Sequence, residues 1–599
     1  MAGVRSEVGH ESARTVADQA AVAAESHPNA VAVRHRDAEG WREQTFAEVG
    51  EIVAEAALGL IDLGVAPGER VCLLAGTRVE WTLASLAISA AGAVVVPVYP
   101  TNSPQECEWV AANSGAQTII CEDADQLAKV QRVREGLPEL CRTIGIESGG
   151  GELSLQELRE RGRRSGDREE LARRRAAVDP QDVYTIIYTS GTTGPPKGCV
   201  LTHANAMSVG HMVEELDFVR DGDVTYLYLP LAHAFALTVQ LASFHAGTAI
   251  VYFGGDAKQV ISELGETRPT YFPSVPRIFE KLYSMATAAL SEASEADRER
   301  FTQAVKLGVQ VRQMRTRDEQ VPQELQEAFA QADERIFAGV RRLFGEHVRQ
   351  AVTGAAPIAA EILEFFYASG VPVLEGWGMT ETTGVGAVAT LEHFRFGTVG
   401  RALPGVELRL AEEDGELLVR GPNVFREYWR NPEATAETLV DGWLRTGDLA
   451  ELDDDGYLKI TGRKKDIIIT AGGKNLAPAN IENDLKQSRW ISQAVMYGDR
   501  RPYPVALITL DEEEILPWAR EQKLPEDLAT LVEHEQVHEL IAAELERANA
   551  HYAQVEQVKR FFILDHDLAQ ETGELTPTLK VKRAVINERY ADAFDALYH

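Results

Sequence analysis

Residues 70–98 read RVCLLAGTRVEWTLASLAISAAGAVVVPV. From Trp81 to Val98 no residue is charged, a run long enough to be taken for a membrane-spanning helix. The run is rich in alanine, however, and carries Ser85, Ser89 and Gly92 before the β-branched triplet Val94-Val95-Val96 and Pro97. That order predicts a buried helix to about Ala91, a turn at Gly92 and a buried strand; the alternative is contact of this stretch with a membrane. With RVCLLAG in front, the segment reads strand, helix, strand, the unit from which parallel sheets are built.

The same alternation continues outward. AQTIICED (116–123), VYTIIYT (183–189), TAIVYF (248–253), TYFPS (270–274) and PVLEGW (372–377) are short apolar runs separated by helix-length segments. The fold class is therefore α/β, with parallel-rich sheets flanked by helices on both faces. The Arg/Glu-rich stretch 149–180 reads as a surface excursion, and the charged helix patterns of 284–350 as an inserted helical hairpin. From Gly405 the pattern changes to short strands and tight turns, a β-rich subdomain over 405–461. Its opening, GVELRLAEEDGELLVRG, places Asp414-Gly415 between two strands and predicts a hairpin. Glu451, Asp453, Asp455 and Gly456 imitate the start of a calcium loop, but Gly462 stands where the closing glutamate belongs, so a hairpin turn is expected. After Gly462 come a basic turn, the strand DIIIT, a glycine pair and an amphipathic helix. A boundary near 462 thus divides a large N-terminal domain, 1–462, from a smaller α+β domain, 463–599.

The chain has 599 residues, 45% hydrophobic and 25% charged, enough to bury several cores. Its net charge of −32 argues against nucleic acid and allows at most peripheral membrane contact. A polyanionic ligand must then be held by local basic clusters. The five cysteines Cys72, Cys107, Cys121, Cys141 and Cys199 never fall as CxxC. They predict reduced thiols, and with no apolar segment in MAGVRSEVGHESARTVADQ a cytoplasmic location follows as an expectation.

The sharpest local signal is Tyr188-Thr189-Ser190-Gly191-Thr192-Thr193-Gly194-Pro195-Pro196-Lys197-Gly198, directly after a strand. Small hydroxyl residues and glycines leave backbone N–H groups and hydroxyls open to phosphate oxygens, and Lys197 adds charge. It is not a Walker A loop: Pro196 takes the second glycine's place, Gly198 follows the lysine, and two prolines stop the helix that motif needs. The alternative for a Ser/Thr/Gly loop alone is a flexible turn.

This string resembles the phosphate-loop signature of the adenylate-forming enzymes, among them acyl-CoA synthetases, luciferases and peptide-synthetase adenylation domains. Further segments are similar to that family's motifs, in order: Leu229-Pro230-Leu231-Ala232-His233; Gly354-Ala355-Ala356-Pro357, like the adenine-contacting loop; Gly376-Trp377-Gly378-Met379-Thr380-Glu381; and Trp443-Leu444-Arg445-Thr446-Gly447-Asp448, like the ribose-binding segment. Gly462-Arg463-Lys464-Lys465-Asp466 resembles the hinge, and Leu575-Thr576-Pro577-Thr578-Leu579-Lys580 the catalytic-lysine motif. The resemblance spans about residues 20–590. Pro269–Arg277, the helical insert and LTPTLKVKR narrow it to long-chain fatty acyl-CoA synthetases. Two departures stand out: Ala236 replaces a common acidic residue, and Trp377 replaces the usual tyrosine, keeping a flat surface for adenine.

The resemblance implies an ATP-dependent long-chain fatty acid:CoA ligase that uses ATP, Mg2+ and coenzyme A and has a mobile C-terminal domain. It leaves a homodimer open. Bringing a carboxylate to a triphosphate puts two anions in contact, so charge must be neutralised before in-line attack. Glu381 is the expected metal-side carboxylate, with Thr380, Thr189, Ser190, Thr192 and Thr193 as hydroxyl donors. Asp448 offers two oxygens to a ribose diol, and Lys580 a mobile positive charge. The nucleotide-contacting set implied by the family also contains Gly191, Gly194, Lys197, Gly354, Ala355, Ala356, Gly376, Trp377, Gly378, Arg463, Gly472 and Gly473. Lys465 is the implied hinge; the alternative is that Lys464 and Lys465 are simply solvated charge. His233 is either a core or helix-cap histidine or a group beside the carboxylate or at the acyl channel entrance. Two other functions stay open: a fatty acyl-AMP ligase that loads a carrier protein, and a catalytically silent nucleotide-binding homologue.

Overall fold

The computed structural model describes residues 13–147, 149–189, 195–288, 294–471, 474–570, 572–576 and 580–599. Val79–Ala90 is a buried helix, Gly92 turns the chain at φ +79°, and Val94–Val98 is a fully buried strand. Among the described residues no helix is long and apolar enough to cross a membrane.

All seven apolar runs form strands, divided between two sheets. Arg70–Leu74, Val94–Val98, Thr118–Cys121 and Val183–Thr189 lie in an eight-stranded sheet. Ala249–Tyr252, Tyr271–Ser274 and Val373–Trp377 lie in a nine-stranded one. Pairing within each centre is parallel. Helix Ala234–Ala246 packs between them, and its Leu237, Leu241 and Phe244 belong to the same core as Leu73, Val95 and Ile250. The strands that flank the phosphate-loop signature pair with each other: Lys197–Thr202 runs antiparallel to Val183–Thr189. A third, antiparallel sheet holds Glu407–Leu410, Glu416–Arg420, Trp443–Leu452 and Leu458–Arg463, with the expected turn at Gly415 (φ +74°). Asp453 and Asp455 both pair with Arg395, and Asp453 Oδ1 accepts from Asp455 and Tyr457 N–H groups, the bonding of a turn.

Two polar segments are more deeply built in than their composition predicts. Residues 149–180 form the expected surface excursion, most of their side chains exposed, but it is tied down: helix Leu155–Ser165 crosses helix Phe46–Asp62 with the two backbones touching. A Cβ at Gly162 would lie 1.9 Å from the Glu55 carbonyl oxygen and one at Gly59 2.2 Å from that of Leu158, so only glycine fits at the crossing. Arg159 and Arg163 satisfy the buried Glu55 carboxylate there. In the charged stretch 284–350, helix Glu295–Thr316 lies against helix Ala360–Ser369. Val305, Val311, Phe329 and Phe337 join Phe272, Phe279, Phe344 and Phe366 in one core on the outer side of the nine-stranded sheet. The first helix of this region already begins at Pro276, and Gln350 opens a sheet strand.

The C-terminal part has separate cores, one around Ile481, Ile491, Ile508 and Ile541, another around Val505, Ile586 and Phe594. Its sheet pairs Ile491–Tyr497 antiparallel, and Arg560–Ile563 parallel, with Val505–Leu510. It is seated on the large domain by ion pairs from helix Pro276–Thr287, Arg277 to Asp511 (2.7 Å) and Lys281 to Glu513 (2.6 Å), and by Gln570 Nε2 donating to Thr101 Oγ1 (2.8 Å).

Candidate active site

Parallel strands place their carboxyl ends together, and ligands of α/β sheets bind just beyond them. Here the turns after Gln350–Thr353 and Val373–Trp377, the start of Lys197–Thr202 and strand Trp443–Leu452 surround a cleft of about 1280 Å³, which the C-terminal domain closes with Lys580. A Cβ at Gly354 would approach the Gly376 carbonyl oxygen to 3.2 Å and one at Gly378 the Gly384 oxygen to 2.3 Å. Glycines at these places therefore let neighbouring turns meet. Ala355 sits at φ +70° and, with Ala356, lines the cleft.

Asp448 is buried in strand Trp443–Leu452, where alternate residues face inward. Its Oδ2 accepts the Trp377 indole N–H at 2.8 Å. Its Oδ1 lies 3.0 Å from Arg463 Nε, close enough for an ion pair, yet is not aligned for a hydrogen bond and remains a buried oxygen without one. Asp448 and Arg463 are register partners across the antiparallel pair, which accounts for their meeting. The Trp377 indole, expected as a flat surface, is also the donor that holds the acceptor expected for ribose.

Glu381 lies in the short turn Thr380–Thr382, itself buried; Thr382 Oγ1 accepts from Met379 N–H at 3.0 Å. Burial raises the Glu381 pKa, and a hydrogen bond from Tyr428 OH to Oε1 at 2.6 Å opposes that rise. Lys197 lies above the Tyr428 ring, Nζ 5.1 Å from its centre.

Lys580 comes from the far end of the chain. Its backbone N–H donates to Thr576 Oγ1 (3.0 Å) and its carbonyl accepts from Thr576 N–H (2.8 Å). Burial, then the nearby Arg463, lowers the ammonium pKa to about 8, while Asp448 and Glu381 act in the opposite sense. The lysine is thus within electrostatic reach of both carboxylates. His233 combines the two readings left open for it: it lines the cleft and caps helix Ala234–Ala246, Nδ1 accepting from Phe235 N–H at 3.2 Å. Accepting at Nδ1 assigns its ring proton to Nε2. Burial, reinforced by Lys580, pushes its pKa down to about 3, so the imidazole is neutral and its Nε2–H is a donor. Ala236, in the first turn of that helix, is fully buried and presents no acid to His233.

Lys465 is exposed in the turn after Leu458–Arg463, whereas its neighbour Lys464 is held by Asp414 (2.5 Å) and Glu416 (3.3 Å). Thr189 ends its strand at the cleft wall. Ser190, Gly191, Thr192, Thr193, Gly194, Gly472 and Gly473 lie outside the described residues.

Beyond His233 the cleft becomes apolar. Val213, Leu216, Phe218 and Val219, which end and follow helix His203–Glu215, face Val239 and Ala242 of helix Ala234–Ala246, with Tyr271 among the lining residues. Of Pro269–Arg277, the segment that marked the long-chain resemblance, only Tyr271 lines this apolar arm, and the helices after it contribute no described lining residue. Alternation along the strand is the cause, because Tyr271 faces the cleft while Phe272 faces the opposite core. Tyr428 and this arm had no motif to reveal them.

The donor set fits a magnesium nucleotide. Asp448 keeps an oxygen without a hydrogen bond, and cationic Arg463, Lys580 and Lys197 line the same cleft as the carboxylate of Glu381. Among the described residues no group of three or more His, Cys, Asp or Glu could hold an ion alone. Mg2+ is commonly held by one or two carboxylates together with water and substrate phosphates, an arrangement that Glu381 at this cleft would suit.

Residues 20–429 match the family described as AMP-binding enzyme, and residues 465–599 the AMP-binding enzyme C-terminal domain. The chain belongs to the AMP-binding enzyme family. A long-chain-fatty-acid–CoA ligase of Mycobacterium bovis is 40% identical over 567 residues, covering 93% of each chain. One of Drosophila melanogaster is 32% identical, covering 94% of this chain and 90% of that one. Among solved structures, the adenylation domain of a Mycobacterium chelonae carboxylate reductase superposes with TM-score 0.75 at 20% identity, covering 99% of this chain and 92% of that one. A Mycobacterium tuberculosis fatty acyl CoA synthetase superposes with TM-score 0.62 at 23% identity, covering 97% and 99%. Both share this fold.

Proposed function

We propose that this AMP-binding enzyme is a long-chain fatty acid:CoA ligase that works through an acyl-adenylate. One observation carries the reading: Lys580, Glu381 and Asp448 converge at the polar end of a cleft whose other end is apolar. The family relationship and the long-chain ligases among its relatives support the choice of substrate.

In this reading the fatty tail lies among Val213, Leu216, Phe218, Val239 and Ala242, and the carboxylate emerges beside His233. The neutral imidazole donates from Nε2 without pairing the carboxylate into an inert ion pair. Asp448 accepts from the ribose hydroxyls, and the turns at Gly354–Ala356 and Gly376–Gly378 frame the base beside Trp377. Glu381 and Thr380 would hold Mg2+, which supplies neutralising charge on the triphosphate. The carboxylate oxygen attacks the α-phosphorus and pyrophosphate leaves, while the Lys580 ammonium stabilises the charge developing on the phosphoryl oxygens. The C-terminal domain then rotates about Lys465, withdrawing Lys580, and the CoA thiol attacks the acyl carbon, releasing AMP. We place the reaction in the cytoplasm, a proposal supported by five free cysteines.

The test is ATP–pyrophosphate exchange with palmitate, followed by product analysis with and without CoA. Palmitate-dependent exchange and palmitoyl-CoA formation are expected. Exchange without thioester formation would instead favour a carrier-protein acceptor, and no exchange with any acid from C2 to C20 would reject the ligase.

A further inference from the structure

Tyr428 lies in none of the motifs that mark the site, yet it touches two of them. Its short strand, Glu427–Tyr428, pairs antiparallel with Lys197–Thr202, the strand at the end of the phosphate-loop signature, Tyr428 opposite Cys199. On either side of that pair, Arg426 N–H donates to the Val200 carbonyl (3.0 Å) and Trp429 N–H to that of Gly198 (2.7 Å). The Tyr428 N–H donates to Thr435 Oγ1 (3.0 Å), and its ring packs edge-on against Phe425 at 4.8 Å. The tyrosine is therefore fixed at backbone and ring. From this mount its hydroxyl donates to Glu381 Oε1 at 2.6 Å, and Phe425 N–H donates to the Glu381 carbonyl at 2.8 Å. Both the side chain and the backbone of Glu381 are thus held by one short segment, whose ring also lies beneath the Lys197 ammonium.

We propose that Tyr428 is the positioning residue that aims the Glu381 carboxylate at the metal–triphosphate complex and couples it to the phosphate-loop strand. The inference rests on the ligase reading above. A glutamate has three side-chain torsions, and a metal ligand free to sample them spends little time in the geometry the ion requires. A short hydrogen bond to one carboxylate oxygen removes that freedom and sets the direction of the other, the function of outer-shell partners at metal sites. The ring contributes separately by seating Lys197, so removing only the hydroxyl isolates the first effect.

Tyr428→Phe retains the ring. In an EPR titration of Mn2+ into the full-length enzyme with ATP, the variant should bind the ion at least about tenfold more weakly. The Mg2+ concentration for half-maximal ATP–pyrophosphate exchange should rise in parallel, while transfer from supplied palmitoyl-adenylate to CoA stays parental. Adding Tyr428→Phe to Glu381→Gln should change Mn2+ affinity little further, because the hydroxyl acts through that carboxylate. Parental Mn2+ affinity and Mg2+ dependence in Tyr428→Phe would overturn the assignment. So would equal loss in both half-reactions with a lowered thermal midpoint, the mark of a purely structural tyrosine. A parent enzyme that exchanges with no acid would strike the ligase reading instead, and the Mn2+ titration with ATP would still decide the role of Tyr428.

Discussion

Burial, together with Arg463, brings the Lys580 ammonium down to a pKa of about 8. Its proposed work requires the charged form, so adenylation should be lost as pH rises through that value. The free-enzyme value governs kcat/KM. At pH 9 roughly one Lys580 in ten keeps its proton, so kcat/KM for ATP should fall about tenfold from the neutral plateau. Bound triphosphate favours the ammonium and should move the corresponding limb of kcat to higher pH. Lys580→Ala should lower adenylation by about 10²-fold or more and abolish the limb. Lys580→Arg, which stays charged throughout, should lose the limb with a smaller drop in rate. The assay is pyrophosphate exchange from pH 6.5 to 9.5, paired with thioester formation from supplied palmitoyl-adenylate, which should remain near parental. The same alkaline limb in Lys580→Ala, or equal losses in both half-reactions, would refute the assignment.

Lys465→Pro should show the converse, adenylation retained and transfer to CoA lost, because proline fixes φ at the proposed pivot; a parental transfer rate would move the hinge elsewhere. Ala242→Phe places a ring in the apolar arm. At about 0.8 kcal/mol per methylene, excluding four methylenes should cost palmitate about 3 kcal/mol in kcat/KM while octanoate is spared, read across an acid series. Equal loss for both acids would show that the tail lies elsewhere. Arg277→Asp should slow adenylation more than thioester transfer by turning the pair with Asp511 into a repulsion, and Asp511→Arg in the same chain should restore it; single and double variants with equal rates would remove this contact from domain seating.

Much of the local architecture is legible in the chain itself. The seven apolar runs, the helix before Gly92 and the Asp414-Gly415 hairpin all appear where side-chain pattern and turn chemistry put them. Such signals arise between near neighbours in sequence, through burial of one face or the φ a turn demands, so they survive without knowledge of the remaining fold. The glycine turns, Glu381, Asp448 and Lys580 were also legible, because each lies in a recognisable string.

Their convergence was not. That Asp448 Oδ2 binds Trp377, that Tyr428 holds Glu381, and that Lys580 enters the same cleft depends on which strands become neighbours and how the C-terminal domain docks. The apolar arm of the cleft is the clearest case. Tyr271 and Phe272 are adjacent and alike in the sequence, yet one faces the cleft and the other a separate core; only the position of their strand between helix layers decides which side can hold a ligand. The crossing at Gly59 and Gly162 has the same origin: a polar surface helix packs backbone to backbone on its neighbour because two distant glycines meet, a coincidence of tertiary packing with no local signature.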